Sequence, residues 1–81
     1  MHSNDSLKEV INDLIQRRQE LGLTQEELNY KLGVADRLVN KWECGMRNPR
    51  PFHLVCWAQA LGCRFTIIPE NGKMKIIEWQ E

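Results

Sequence analysis

The sequence predicts a mainly helical domain of four helices with a C-terminal β-hairpin, and two observations carry that expectation. Apolar residues recur three and four apart in four successive stretches, each bounded by a capping residue, a glycine or a proline. Residues 63–81 change period: they are rich in Phe, Ile and Thr and centre on Asn71–Gly72. The expected boundaries are a loose tail at 1–5, the helical domain at 6–62 and the hairpin at 63–81.

Helix 1 is expected to begin near Ser6, because Ser6 and Glu9 have capping-box spacing ahead of Leu7, Val10, Ile11, Leu14 and Ile15. Leu21 and Gly22 close it, and Arg17 and Arg18 fall in its last turns, where the carbonyl end of the dipole favours cations. Helix 2 starts at Gln25, with Thr24 as its N-cap and Glu27 completing a second capping box. Leu28 and Leu32 share one face, and Gly33 follows where a left-handed residue is needed. In helix 3, Leu38, Val39 and Trp42 form the apolar stripe, with Asp36, Arg37, Asn40 and Lys41 around the other side. The segment CGMRNPRP stops that helix. Pro51 suits the first turn of helix 4, which runs to about Leu61 with Leu54, Trp57, Ala58 and Leu61 as its inner stripe and Gly62 as its stop. A two-residue turn at Asn71–Gly72 would pair Ile67 with Ile76, Phe65 with Glu78 and Arg64 with Trp79. Alternation then puts Phe65, Ile67, Met74 and Ile76 on a face toward the helices, and Ile68, Ile77 and Trp79 on the other.

With 81 residues the chain makes one small domain, a size that often gains stability by oligomerising. Eleven basic and eleven acidic side chains cancel, which argues against a non-specific nucleic-acid coat. Their distribution is uneven: Arg37, Lys41, Arg47 and Arg50 outweigh Asp36 and Glu43 between residues 36 and 50. No apolar run approaches the roughly 20 residues of a membrane span, and the N-terminus lacks the apolar core of a secretory signal, so a cytoplasmic protein is expected. Three cysteines, an odd number, fit a reducing compartment.

Within Leu21–Pro49, the strings TQEELNYKLGV and LVNKWECGMRNP resemble the helix-turn-helix of the lambda-repressor/Cro-like (Xre-type) family of prokaryotic and phage regulators. The likeness extends from Leu14 to Gly62 and includes the LGLTQEEL opening, the turn glycine, the KWE ending and the following NP. The chain departs from the family at Asn29, where alanine is usual and the two helices approach, and at Ala35, where serine or threonine usually caps the recognition helix. Loss of that cap weakens the start of helix 3 by about 1 kcal/mol unless Asp36 takes the role. The resemblance further implies that Arg18 pairs with Glu43, tying helix 1 to the end of helix 3; direct contact of Arg18 with DNA is the other reading.

In such a motif the exposed side of helix 3 reads base edges while flanking donors clamp phosphates. Arg37 suits guanine O6 and N7, Asn40 suits adenine N6 and N7, and Asp36 can accept from cytosine N4. Lys41 reaches either guanine or a phosphate. Gln25 lies in the first turn of helix 2, whose free N–H groups favour an anion, and the family commonly uses a glutamine there on the DNA backbone. Arg47, Asn48 and Arg50 are the phosphate candidates on the other side of the groove.

Cys44, His53, Cys56 and Cys63 match no paired zinc spacing, and nothing supplies an orienting group or oxyanion site for a nucleophile. No metal, cofactor or catalytic residue is expected. The leading expectation is a dimeric, sequence-specific transcriptional regulator, a repressor on a palindromic operator. The alternative is an antitoxin-like protein that binds a toxin-like partner and its own promoter. Ile68, Ile77 and Trp79 form the expected dimer surface, because a two-stranded sheet has open edges and that face is apolar.

Overall fold

The computed structural model describes residues 3–67 and 74–78, with side chains placed for residues 7–65. Its elements are α1 (Ser3–Glu20), α2 (Gln25–Leu32), α3 (Leu38–Glu43), α4 (Pro51–Ala60), β1 (Cys63–Ile67) and β2 (Met74–Glu78). Helix α1 therefore begins before Ser6, and residues 3–5 belong to it instead of to a tail. That stretch contains neither glycine nor proline to interrupt a helix.

The local signals around α2 act as their chemistry dictates. Thr24 Oγ1 accepts the Glu27 N–H at 3.0 Å while Glu27 Oε1 accepts the Thr24 N–H at 2.8 Å, so two otherwise orphaned donors are satisfied. Gly33 ends the helix at φ 67°, a conformation that favours glycine, and donates to Asn29 O at 3.0 Å.

All four helices converge on one core. Val10, Ile11 and Leu14 enter it from α1, Leu28 from α2, Val39 and Trp42 from α3, and Leu54, Trp57 and Ala58 from α4. Trp57 is fully buried and stacks on Trp42 with ring centroids 5.4 Å apart. This contact matters because α3 has only six residues, too few to hold helical form without tertiary packing. Arg17 adds a tie beyond its place near the α1 dipole: its Nε donates to Leu61 O at 3.1 Å, satisfying a carbonyl at the end of α4.

The antiparallel strands pair Cys63 with Glu78, Arg64 with Ile77, Phe65 with Ile76, Thr66 with Lys75 and Ile67 with Met74. This register is offset by two residues from the expected one, which set Phe65 against Glu78. The observed alignment pairs Phe65 with Ile76 and Ile67 with Met74, and carries the pairing back to Cys63, which is buried. A two-residue offset preserves the alternation, so the register keeps the expected parity at the paired positions. β1 packs against α4 and β2 against α1. The Asn71–Gly72 turn lies outside the described residues.

Candidate nucleic-acid interface

The entry to α3 differs from the sequence expectation. Asp36 and Arg37 precede the helix, in a turn closed by the Leu38 N–H on Ala35 O at 3.2 Å. They are exposed beside its N-terminal end, not on its face. Arg37 has φ 64° and ψ 9°, the single non-glycine residue with positive φ among those described. No side chain within this turn caps this end. Ala35 has no side-chain oxygen, Asp36 does not supply one, and Arg37 in the N-cap position makes no capping bond.

Asn29 provides the missing acceptor from the neighbouring helix. It is 7% exposed, and its Oδ1 takes the Val39 N–H at 3.0 Å. Val39 is the second residue of α3, one of the two whose N–H a conventional N-cap side chain would satisfy. The two departures from the family pattern, at 29 and 35, thus answer one another. The asparagine that replaces alanine at the crossing point caps the helix that lacks its own cap.

A second polar group joins α1, α2 and α3. Arg18 Nε donates to Glu43 Oε2 at 2.8 Å and Arg18 Nη2 to Glu43 Oε1 at 3.0 Å. The side chains of this pair are only 12% and 6% exposed. Arg18 Nη1 also donates to Leu23 O at 2.7 Å, so its guanidinium is committed on two sides. Gln25 Nε2 donates to Glu43 Oε1 at 2.8 Å, and Asn40 Nδ2 donates to Gln25 Oε1 at 3.1 Å. Gln25 and Asn40, candidates for different roles, are therefore in direct contact.

Beyond α3, Gly45 takes φ 83° and the N–H groups of Met46 and Arg47 return to Lys41 O at 2.9 and 3.2 Å. This fold-back brings Arg47, Asn48 and Arg50 together around a cavity of about 310 Å³, lined also by Leu38, Trp42 and His53. His53 was missed as a neighbour of these residues; its ring lies 5.2 Å from that of Trp42. The available signal was its place in the first turn of α4, directly after the Arg50–Pro51 junction. Lys41 is half-buried on α3. Ile77 belongs to β2, while Ile68 and Trp79, and the side chain of Ile77, lie outside the described residues. Among the described residues Cys44, Cys56 and Cys63 form no disulfide, and they are exposed, half-buried and buried in that order. Among the described residues no helix is long and apolar enough to cross a membrane.

Comparison with known proteins agrees with this geometry. Residues 14–68 match the helix-turn-helix family model. The chain is 40% identical over 58 residues to an uncharacterized HTH-type transcriptional regulator of Sinorhizobium fredii, an alignment covering 72% of this chain and 75% of that protein. No solved structure matches it. With α2 and α3 crossing through Asn29, the Arg18–Glu43 pair behind them and most of the domain inside the matched range, the chain belongs to the lambda-repressor/Cro-type helix-turn-helix family.

Proposed function

We propose that this DNA-binding transcriptional regulator acts as a homodimer that covers a palindromic operator and represses by occupying it. Arg37, Asn40, Asp36 and Lys41 read bases from the start and the outer side of α3, Arg37 through guanine O6 and N7. Gln25, Arg47, Asn48 and Arg50 take phosphates on either side. The observation that carries this reading is the asymmetry of the α3 surroundings in a chain of zero net charge: Arg47, Asn48 and Arg50 share one cavity beside the helix whose entry presents Arg37.

Selection of bound sequences from a random DNA pool tests the proposal directly, because it reads binding, symmetry and half-site spacing together. Arg37→Ala should weaken binding to the selected site by about 1–3 kcal/mol and leave random DNA nearly unaffected. Arg47→Ala should weaken both alike and lower the salt slope by about 1. Equal losses on both DNAs for Arg37→Ala would remove that residue from the base-reading set, and selected sites without two-fold symmetry would remove the palindrome.

A further inference from the structure

The polar chain from α1 to α3 has a direction, and its direction is set at one end. The Glu43 carboxylate has only acceptors to offer, and Arg18 occupies both of its oxygens, at 2.8 and 3.0 Å. Gln25 must therefore turn its amide nitrogen toward Glu43, where Nε2 lies 2.8 Å from Oε1. Its own Oε1 then faces Asn40, so Asn40 must in turn present its nitrogen, and Nδ2 lies 3.1 Å from that oxygen. Flipping either amide would set oxygen against oxygen or nitrogen against nitrogen. With the ion pair almost withdrawn from solvent, the Glu43 end of the chain is fixed.

We infer that Glu43, acting through Gln25, sets which base Asn40 prefers, and so is a positioning residue for specificity as well as a partner of Arg18. The inference rests on the base-reading role proposed for Asn40 and adds what selects the base. Asn40 has one amide hydrogen committed to Gln25, leaving Oδ1 and the other hydrogen for a ligand. One acceptor beside one donor complements adenine, whose N6 donates and N7 accepts in the major groove. Guanine offers O6 and N7, both acceptors, and would place an oxygen against Asn40 Oδ1. An asparagine without the relay can turn its nitrogen to guanine, so the relay excludes a base that the side chain alone tolerates.

The test is selection from a random DNA pool with the wild type, Asn40→Ala, Gln25→Leu and Glu43→Gln, followed by competition between adenine and guanine at each position. The readout is a ratio at one base pair, which a uniform loss of affinity or of folded protein does not move. In the wild type adenine should exceed guanine by about tenfold or more at one position, and Asn40→Ala should erase that preference. Gln25→Leu and Glu43→Gln should reduce it to below about threefold while the other positions keep their preferences. Gln25→Leu leaves the Arg18–Glu43 pair intact and decides alone if Glu43→Gln does not fold. If Asn40→Ala changes no position, the base-reading role itself fails. If Asn40→Ala erases a preference that Gln25→Leu retains at the wild-type ratio, Asn40 reads a base but the relay is overturned, as it is if the position lost in Asn40→Ala favours guanine in the wild type.

Discussion

Arg37 is held in a backbone conformation that costs an L-residue about 1–2 kcal/mol, at the entry of α3. Such strain persists because the surroundings impose it: the 35–38 turn is closed on one side and Val39 is pinned by Asn29 on the other. Arg37→Gly relieves the strain but adds unfolded-state entropy, so thermal unfolding should show stability unchanged or raised by up to about 1 kcal/mol. Operator binding should fall as for Arg37→Ala. A clear loss of stability would mean that the arginine side chain helps to hold the turn. Asn29→Ala restores the residue usual in the family, yet here it should destabilise by about 1–3 kcal/mol, because it orphans a buried N–H. Denaturant unfolding decides; a neutral result would show that water replaces the cap.

Elements differ in how far their own residues determine them. Thr24, Glu27 and Gly33 delimit α2 through contacts within a few residues, which is why its limits are legible in sequence. Pro51 and the Leu54–Trp57–Ala58 stripe make α4 legible for the same reason. The start of α3 is not, since its cap comes from Asn29, ten positions away in the chain and on another helix. The strand register is not legible from the Asn71–Gly72 signal alone, since the observed pairing reaches back to Cys63, whose burial depends on the assembled core. Gln25 and Asn40 could be listed as candidates from type and position, but their contact exists only once α2 crosses α3.

Two predictions belong to this scale. Hydrogen bonds from the Thr24 backbone and side chain hold the Glu27 carboxyl below its ordinary value of 4.5. A lowered folded value means that the folded state binds fewer protons, so this contribution is present above pH 4.5 and is lost as pH falls through the folded value. Glu27→Ala should flatten the dependence of melting temperature on pH in that acid range; an unchanged slope would deny the capping box its titrating role. The Arg18–Glu43 pair is bidentate and mostly buried, so removing one partner strands the other charge and should cost about 3–5 kcal/mol. In a double-mutant cycle of Arg18→Ala and Glu43→Ala, additive losses would show that the two are not coupled.

At the scale of the molecule, the hairpin rests on the first and last helices, since β1 lies on α4 and β2 on α1. The sheet has two strands among the described residues, so each strand has one edge without a strand partner. The register sets positions 63, 65, 67, 74, 76 and 78 on the side where Cys63 is buried, and Ile77 on the opposite side with exposed Arg64. A second hairpin laid on that outer side would cover Ile77 and extend the sheet. It would also supply the two recognition helices that a palindrome requires, about 34 Å apart. A rival surface exists on α4, where Phe52 and Val55 are 72% and 44% exposed at helical spacing. Sedimentation separates the two: the wild type should be dimeric at tens of micromolar, by a rough choice of concentration, and Ile77→Asp with Trp79→Lys should be monomeric and bind half-sites only. A wild type that stays monomeric would sink the dimer, and a dimer that survives the hairpin changes but is lost in Phe52→Lys would move the interface to α4.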